Sequence, residues 1–185
     1  MIVNISQRRR STLALNESEK AARRLAQENE VLAEIGRIIS STLNIAEVYE
    51  RFAEKVREAI PFDRIAVNTV NLKDYTRTAR YVDGDLIPDN YIGEVFSMVG
   101  TRSEHVVRTK SSLVMNSKNR EDMLKKLPGM LLQFGDQSMM VPLISKDEVI
   151  GALTVHSAKV DAYSENDLLL AERVGTQIAG AIANA

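Results

Sequence analysis

The chain has 185 residues, 44% of them apolar, with 24 basic and 25 acidic side chains, a net charge of −1 and no cysteine. That length allows one domain with appendages, and the apolar share suffices for a packed core. The balanced charge argues against a nucleic-acid or anionic-membrane binder. Zero cysteine excludes disulfides, zinc–thiolate sites and a thiol nucleophile.

In chain order, a helical pattern rich in Ala, Leu, Glu, Arg and Gln runs from about Ser11 to Thr42, without proline and with Gly36 as its only glycine. Alternating steps of three and four pick out Leu15, Ser18, Ala22, Leu25, Asn29, Leu32, Gly36, Ile39 and Leu43, a heptad seam with a polar Asn near its middle. Val31, Ile35, Ile38 and Thr42 form a second stripe. Two apolar stripes predict two contacts, one with a partner copy and one with the body of the domain. A solvated linker helix with a single core-facing stripe is the alternative. Asn44-Ile45-Ala46-Glu47 has capping-box spacing and opens a helix that Pro61 stops, its buried face being Val48, Phe52, Val56, Ala59 and Ile60. Arg64–Leu72 and Thr76–Val82 read as strands. Residues 83–98 read as loop and short helix, with Asp83 and Asp85 flanking a turn at Gly84. Ser103 caps a short helix to Thr109, Leu113–Met115 is a short strand, and Asn119–Leu127 is an exposed helix broken by Pro128-Gly129. Two apolar runs, Ser138–Ile144 and Val149–His156, predict an antiparallel hairpin. Ser164 with Asp167 caps a final helix whose small residues Gly175, Ala179 and Gly180 suit close approach by another helix.

The hairpin and final helix resemble the end of a GAF domain, whose pattern "PL…IG.L.V" followed by "[FY][ST]..[DE]..L" is matched by Pro142-Leu143, Ile150-Gly151, Leu153, Val155, Tyr163-Ser164 and Asp167. LNIAEVYERFAEKVREAIPFDRIAVNTVN resembles the first helix and strand of that family, and GTRSEHVVRTKSSLVM its short helix and middle strand. Lys110-Ser111 and Lys146-Asp147-Glu148 lack glycines common in those turns. Val3-Asn4-Ile5-Ser6-Gln7-Arg8-Arg9 resembles the closing motif of a PAS domain, with Asn4 and Gln7 in place of the usual Asp and Glu. The alternative there is a ragged charged terminus.

The resemblance implies an α+β fold: a GAF/PAS-like central antiparallel β-sheet flanked by helices, with a long N-terminal signalling helix. The expected organisation is 1–10 as the tail of an upstream PAS-like module, 11–42 as a coiled-coil linker helix and 43–185 as the GAF domain. The implied function is sensory and non-catalytic, in a signal-transduction protein of the sensor histidine kinase type. A small ligand would bind, and its state would pass through a parallel helical homodimer to a downstream kinase or other output domain. The alternative is a ligand-free GAF domain acting as dimerisation and relay spacer.

The candidate ligand-binding residues are Asn68, Tyr81, Phe96, Arg102, His105, Met115 and Met140, and the candidate dimer seam is Leu25, Asn29, Leu32 and Ile39. Arg102 suits an anionic ligand group or is a surface charge. Met98, Met115, Met123, Met130, Met139 and Met140 suit an adaptable cavity or ordinary core filling. Haem-binding relatives use a histidine, and His105 is the residue near that position, but a lone histidine by a helix start reads more simply as a partly exposed polar group. His156 reads as a surface residue at a strand end. A covalent bilin is excluded by the absence of cysteine, and so is cysteine-based methionine sulfoxide reductase chemistry. A cyclic-nucleotide signature is not completed by Ser117-Lys118-Asn119 and Phe134-Gly135-Asp136. No histidine pair has metal-ligand spacing, no G-x-S-x-G occurs, and the scattered carboxylates make no catalytic set, so an enzyme is not expected. Neither a signal-peptide apolar region nor an apolar run near ~20 residues is present, which predicts a soluble, cytoplasmic chain without membrane contact.

Overall fold

The computed structural model describes residues 2–41, 44–84, 91–116, 118–126 and 137–184. Its elements in chain order are α1 (Ile2–Ser41), α2 (Ile45–Ala59), β1 (Arg64–Asn71), β2 (Thr76–Gly84), β3 (Val95–Ser97), α3 (Arg102–Thr109), β4 (Leu113–Met115), α4 (Arg120–Lys126), β5 (Gln137–Ser145), β6 (Glu148–Ser157) and α5 (Glu165–Asn184). The strands form one six-stranded sheet in the order β3-β2-β1-β6-β5-β4, and every pairing is antiparallel. This is the expected α+β architecture.

Local chemistry explains the boundaries. Asn44 Oδ1 accepts from the Ala46 amide at 3.1 Å and starts α2. At α5, Ser164 Oγ accepts from the Asp167 amide while Asp167 Oδ2 accepts from the Ser164 amide at 2.8 Å, so each end of the cap satisfies a free donor. The two turns that lack glycine still take left-handed backbone. Lys110 ends α3 at φ 51°, and Lys146-Asp147 (φ 49° and 64°) form the two-residue loop between β5 and β6.

Helices α1, α2 and α5 cover one face of the sheet. Phe52 and Val56 of α2, Ile35 of α1 and Ile178 of α5 meet Ile65, Met139, Leu143 and Leu153 of the strands, all at 2% exposure or less. Each large side chain buried this way contributes about 2–3 kcal/mol. Gly175 lets α5 settle on β5, since a Cβ there would lie 3.0 Å from Val141 Cγ1. The close approach expected between helices is therefore made to the sheet.

Helix α1 divides into two parts. Residues 7–27 are exposed throughout, a rod of roughly 30 Å at 1.5 Å per residue. From Val31 onward the helix turns Leu32, Ile35, Ile38 and Ile39 onto the domain's own body. Helix α1 is continuous from Ile2 to Ser41.

Three other expectations are corrected. Residues 95–97 form an edge strand on β2 rather than a short helix. Thr101, not Ser103, caps α3, its Oγ1 accepting from the Glu104 amide. Tyr81 faces the helices, because Val67 pairs with Tyr81 while Asn68 pairs with Ala79. Arg80 is thus the extra residue of a bulge, and a bulge reverses the alternation beyond it. Thr42, Leu43, Asp85, Ser117, Pro128-Gly129, Met130 and Phe134-Gly135-Asp136 lie outside the described residues.

Candidate functional site

On the sheet face away from the helices, alternation and register align side chains in rows. Arg64 of β1 lies beside His156 of β6 and Ser138 of β5; Ala66 lies beside Thr154 and Met140; Asn68 lies beside Ala152. Ala66, Ala79 and Ala152 are small and buried, so the middle of this face is a low floor with polar groups around it.

Helix α3 lies over β5 and β6. Its start is fixed tightly: Thr101 Oγ1 donates to the Met98 carbonyl at 2.6 Å, and the Gly100 amide donates to Glu104 Oε2 at 2.6 Å. Its far end is tied to the β5–β6 loop by Lys110 Nζ, which donates to the Asp147 carbonyl at 2.6 Å. Val106 packs with Leu113, Met115, Met140 and Ala152 as a second buried apolar cluster.

Two arginines reach this face from opposite sides. Arg77 of β2 lies 4.7 Å over the Phe96 ring and donates to Asn68 Oδ1 at 2.9 Å. Arg102, the first residue of α3, donates to Ser138 Oγ. Burial first, and the neighbouring Arg64 second, lower the pKa of Arg77. The guanidinium is the enclosed end of the partly exposed Arg102 side chain; burial and then the charge of Arg77 bring its pKa down to about 10. His156, only 7% exposed, is held neutral: burial, then Arg102, then Arg64 bring its pKa to about 3. Thr154 Oγ1 and His156 Nδ1 are buried with no hydrogen-bond partner among the described residues.

Of the expected ligand-binding residues, Asn68, Phe96, Arg102, Met115 and Met140 therefore lie on or over this face, Phe96 and Met115 at its opposite edges. His105 is half-buried on α3, one turn beyond Arg102. Tyr81 is on the other side of the sheet, stacked on Tyr49 of α2 with ring centroids 5.6 Å apart. Met139 also faces the helices and belongs to the main core. The expectation of a surface His156 is corrected: β6 lies between β1 and β5, so its end is covered from both sides. Sequence reasoning missed Arg64, Arg77, Ser138 and Thr154. Arg64, Ala66 and Asn68 share one face of a strand that is otherwise apolar, and a charged residue in that row was the available signal. Among the described residues, no group of three or more His, Asp or Glu is placed to hold a metal ion, and no helix is long and apolar enough to cross a membrane.

On the helix side, charged groups join the two long helices. Arg173 of α5 donates to Asn29 Oδ1 at 2.8 Å and lies 3.9 Å from Glu28. Arg24 pairs with Glu28 at 2.9 Å and with Asp167 at 3.7 Å. The four residues of the expected seam have different surroundings. Asn29 is engaged by Arg173, Leu32 and Ile39 pack on the protomer's own core, and Leu25 is 53% exposed. Leu25 shares a surface groove with Leu169, which is 57% exposed.

A family model described as GAF domain matches residues 42–183. No curated protein matches the chain. Among solved structures, the chain is similar to the GAF domain from an Acinetobacter phosphoenolpyruvate-protein phosphotransferase, at 19% identity and a TM-score of 0.68 over 84% of this chain and 92% of that one. It is similar to free methionine-R-sulfoxide reductase from Neisseria meningitidis, at 14% identity and a TM-score of 0.68 over 84% and 88%. It is also similar to the GAF domain of a two-component sensor histidine kinase from Bacillus halodurans, at 16% identity and a TM-score of 0.62 over 77% and 96%.

Proposed function

This chain belongs to the GAF domain family, a sensory and regulatory fold found in signalling proteins, and on that footing we propose that it senses a small ligand without catalysing a reaction. The ligand site is the sheet face beneath α3, and the output is the relative position of α1 and α5 on the opposite face. The observation that carries this reading is that one sheet serves both sides. Ser138, which holds Arg102, is followed by Met139, which lies in the helix-side core. A displacement of β5 on the ligand side therefore reaches the helices through adjacent residues. Ligand binding then shifts the population between two packings of the helices.

The partner in this mechanism is a second copy of the chain, lying parallel along α1. Support comes from the exposed rod of residues 7–27, since a helix gains most of its stability from packing an apolar stripe. Leu15 and Leu25 offer that stripe, at 60% and 53% exposure. The parent is a cytoplasmic multidomain protein of the sensor histidine kinase type, with a PAS-like module upstream and an output domain downstream. Single Leu15→Cys and Leu25→Cys variants test the dimer, because the chain has no other cysteine. Disulfide-linked dimers at both positions under mild oxidation are expected; monomers throughout refute a parallel pairing.

A second reading, a ligand-free spacer, is favoured by one fact: Arg77 and Arg102 each already have a protein acceptor, Asn68 and Ser138. Thermal unfolding with a metabolite panel separates the two, since a ligand specific to the folded state raises Tm.

A further inference from the structure

We propose that the ligand is a small carboxylate, its anionic head gripped by Arg77 and Arg102 and a short apolar body laid against Met115, Met140 and Val106. This deepens the ligand-sensing reading above and rests on it.

The argument is one of unmatched charge. A guanidinium carries five donors, and taking it out of water is costly unless those donors and its charge are answered. Arg77 and Arg102 each use a donor on a neutral oxygen, an amide in one case and a hydroxyl in the other. Neither is paired with a carboxylate among the described residues. Arg77 reaches Asn68 of β1 and Arg102 reaches Ser138 of β5, on the same face of the sheet. Elsewhere the chain answers such groups readily: Arg57 meets Asp83 at 2.7 Å and Lys55 meets Glu58 at 2.7 Å. Among the described residues, Arg77 and Arg102 thus meet neutral acceptors on the enclosed face, an arrangement that an incoming oxyanion completes.

Two further polar groups lie on the same face. Thr154 Oγ1 and His156 Nδ1 are buried without a partner among the described residues, His156 in the row of Ser138 and Thr154 in the next row toward Asn68. The Thr154 hydroxyl suits a carboxylate oxygen. Planar guanidinium forks suit carboxylates in a bidentate manner. Met115 and Met140, which cluster with Val106 and Ala152 beside these groups, pack adaptably against an apolar body.

The test is isothermal titration and thermal unfolding of the whole chain with hexanoate and benzoate, their neutral amides hexanamide and benzamide, and inorganic phosphate. Expected are saturable binding of a carboxylate with a raised Tm, at least about tenfold weaker binding of its amide, and a comparable loss in Arg77→Gln and Arg102→Gln. Arg108→Gln, on an exposed position of α3, serves as the control and should bind as the parent does. Where Arg102→Gln does not fold, Arg102→Lys keeps the charge without the fork and should still lose affinity. Equal binding of acid and amide, phosphate binding more tightly than either carboxylate, or unchanged affinity in the arginine variants overturns the carboxylate assignment. Those outcomes leave ligand sensing intact. If no carboxylate binds, the assignment also falls, and a metabolite panel that then raises Tm preserves the broader reading, whereas a silent panel removes both.

Discussion

Acidification should destabilise this protein through one imidazole. His156 is buried beside two arginines, and its pKa falls from an ordinary 6.5 to about 3 in the folded chain. Between those values the unfolded chain takes up a proton that the folded chain refuses. The stability due to the neutral imidazole is therefore fully present above pH 6.5 and is lost as pH falls toward 3. Linkage gives a loss of about 2 kcal/mol between pH 7 and pH 5, rising to about 3 kcal/mol at pH 4. Among the described residues, the groups facing the imidazole are Arg64 from β1, Arg102 from α3 and Ser138 from β5. Urea unfolding at pH 7 and pH 5, for the parent and His156→Gln, isolates this share, since other titrating groups act in both proteins. The parent should lose about 2 kcal/mol more than the variant. NMR titration of the imidazoles in the folded parent gives a direct second reading. Equal losses in both proteins, or a His156 imidazole that titrates near its ordinary value, refute the reasoning.

Three further outcomes are expected. Gly151→Ala would place a Cβ 2.2 Å from the Asn68 carbonyl oxygen, so β6 and β1 must part; chemical denaturation should show a loss of about 3 kcal/mol or more, and a loss under about 1 kcal/mol contradicts the packing. Phe52→Ala empties a fully enclosed position beneath α2 and should cost about 3–5 kcal/mol in the same measurement. Arg173→Ala removes the link from α5 to Asn29 and Glu28; global stability should change by less than about 1 kcal/mol, while amide exchange in the middle of α1 should quicken. Unchanged exchange there would mean that the apolar residues alone hold the two helices together.

The frame of the fold was legible because its signals are local. The capping pair Ser164 and Asp167, the stop at Pro61 and the apolar runs of β5 and β6 each act within a few residues. What escaped depends on neighbours distant in the chain. Strand β3 is three residues long, too short to show a period, and exists because β2 offers it an edge. Tyr81, a candidate for the ligand site, lies on the helix side because β2 carries an extra residue at Arg80, which only the pairing with β1 reveals. His156 looked like a strand terminus in water until β1 and β5 closed on it. Arg102 was visible as a candidate, but its companion Arg77 was not. They are 25 positions apart and reach one sheet face only because α3 folds back over the sheet that carries Asn68 and Ser138.

The attachment of the leading helix to the last one relies at its outer end on Arg24, Glu28, Asp167 and Arg173, all in contact with solvent. Dissolved ions compete for those charges, whereas they scarcely reach Leu32 and Ile35 further along the same helix. Raising ionic strength should therefore loosen the outer turns while the inner ones stay seated. The point at which the rod leaves the body is then set partly by the medium, and a sensor of this design inherits a dependence on cellular salt alongside whatever molecule it detects.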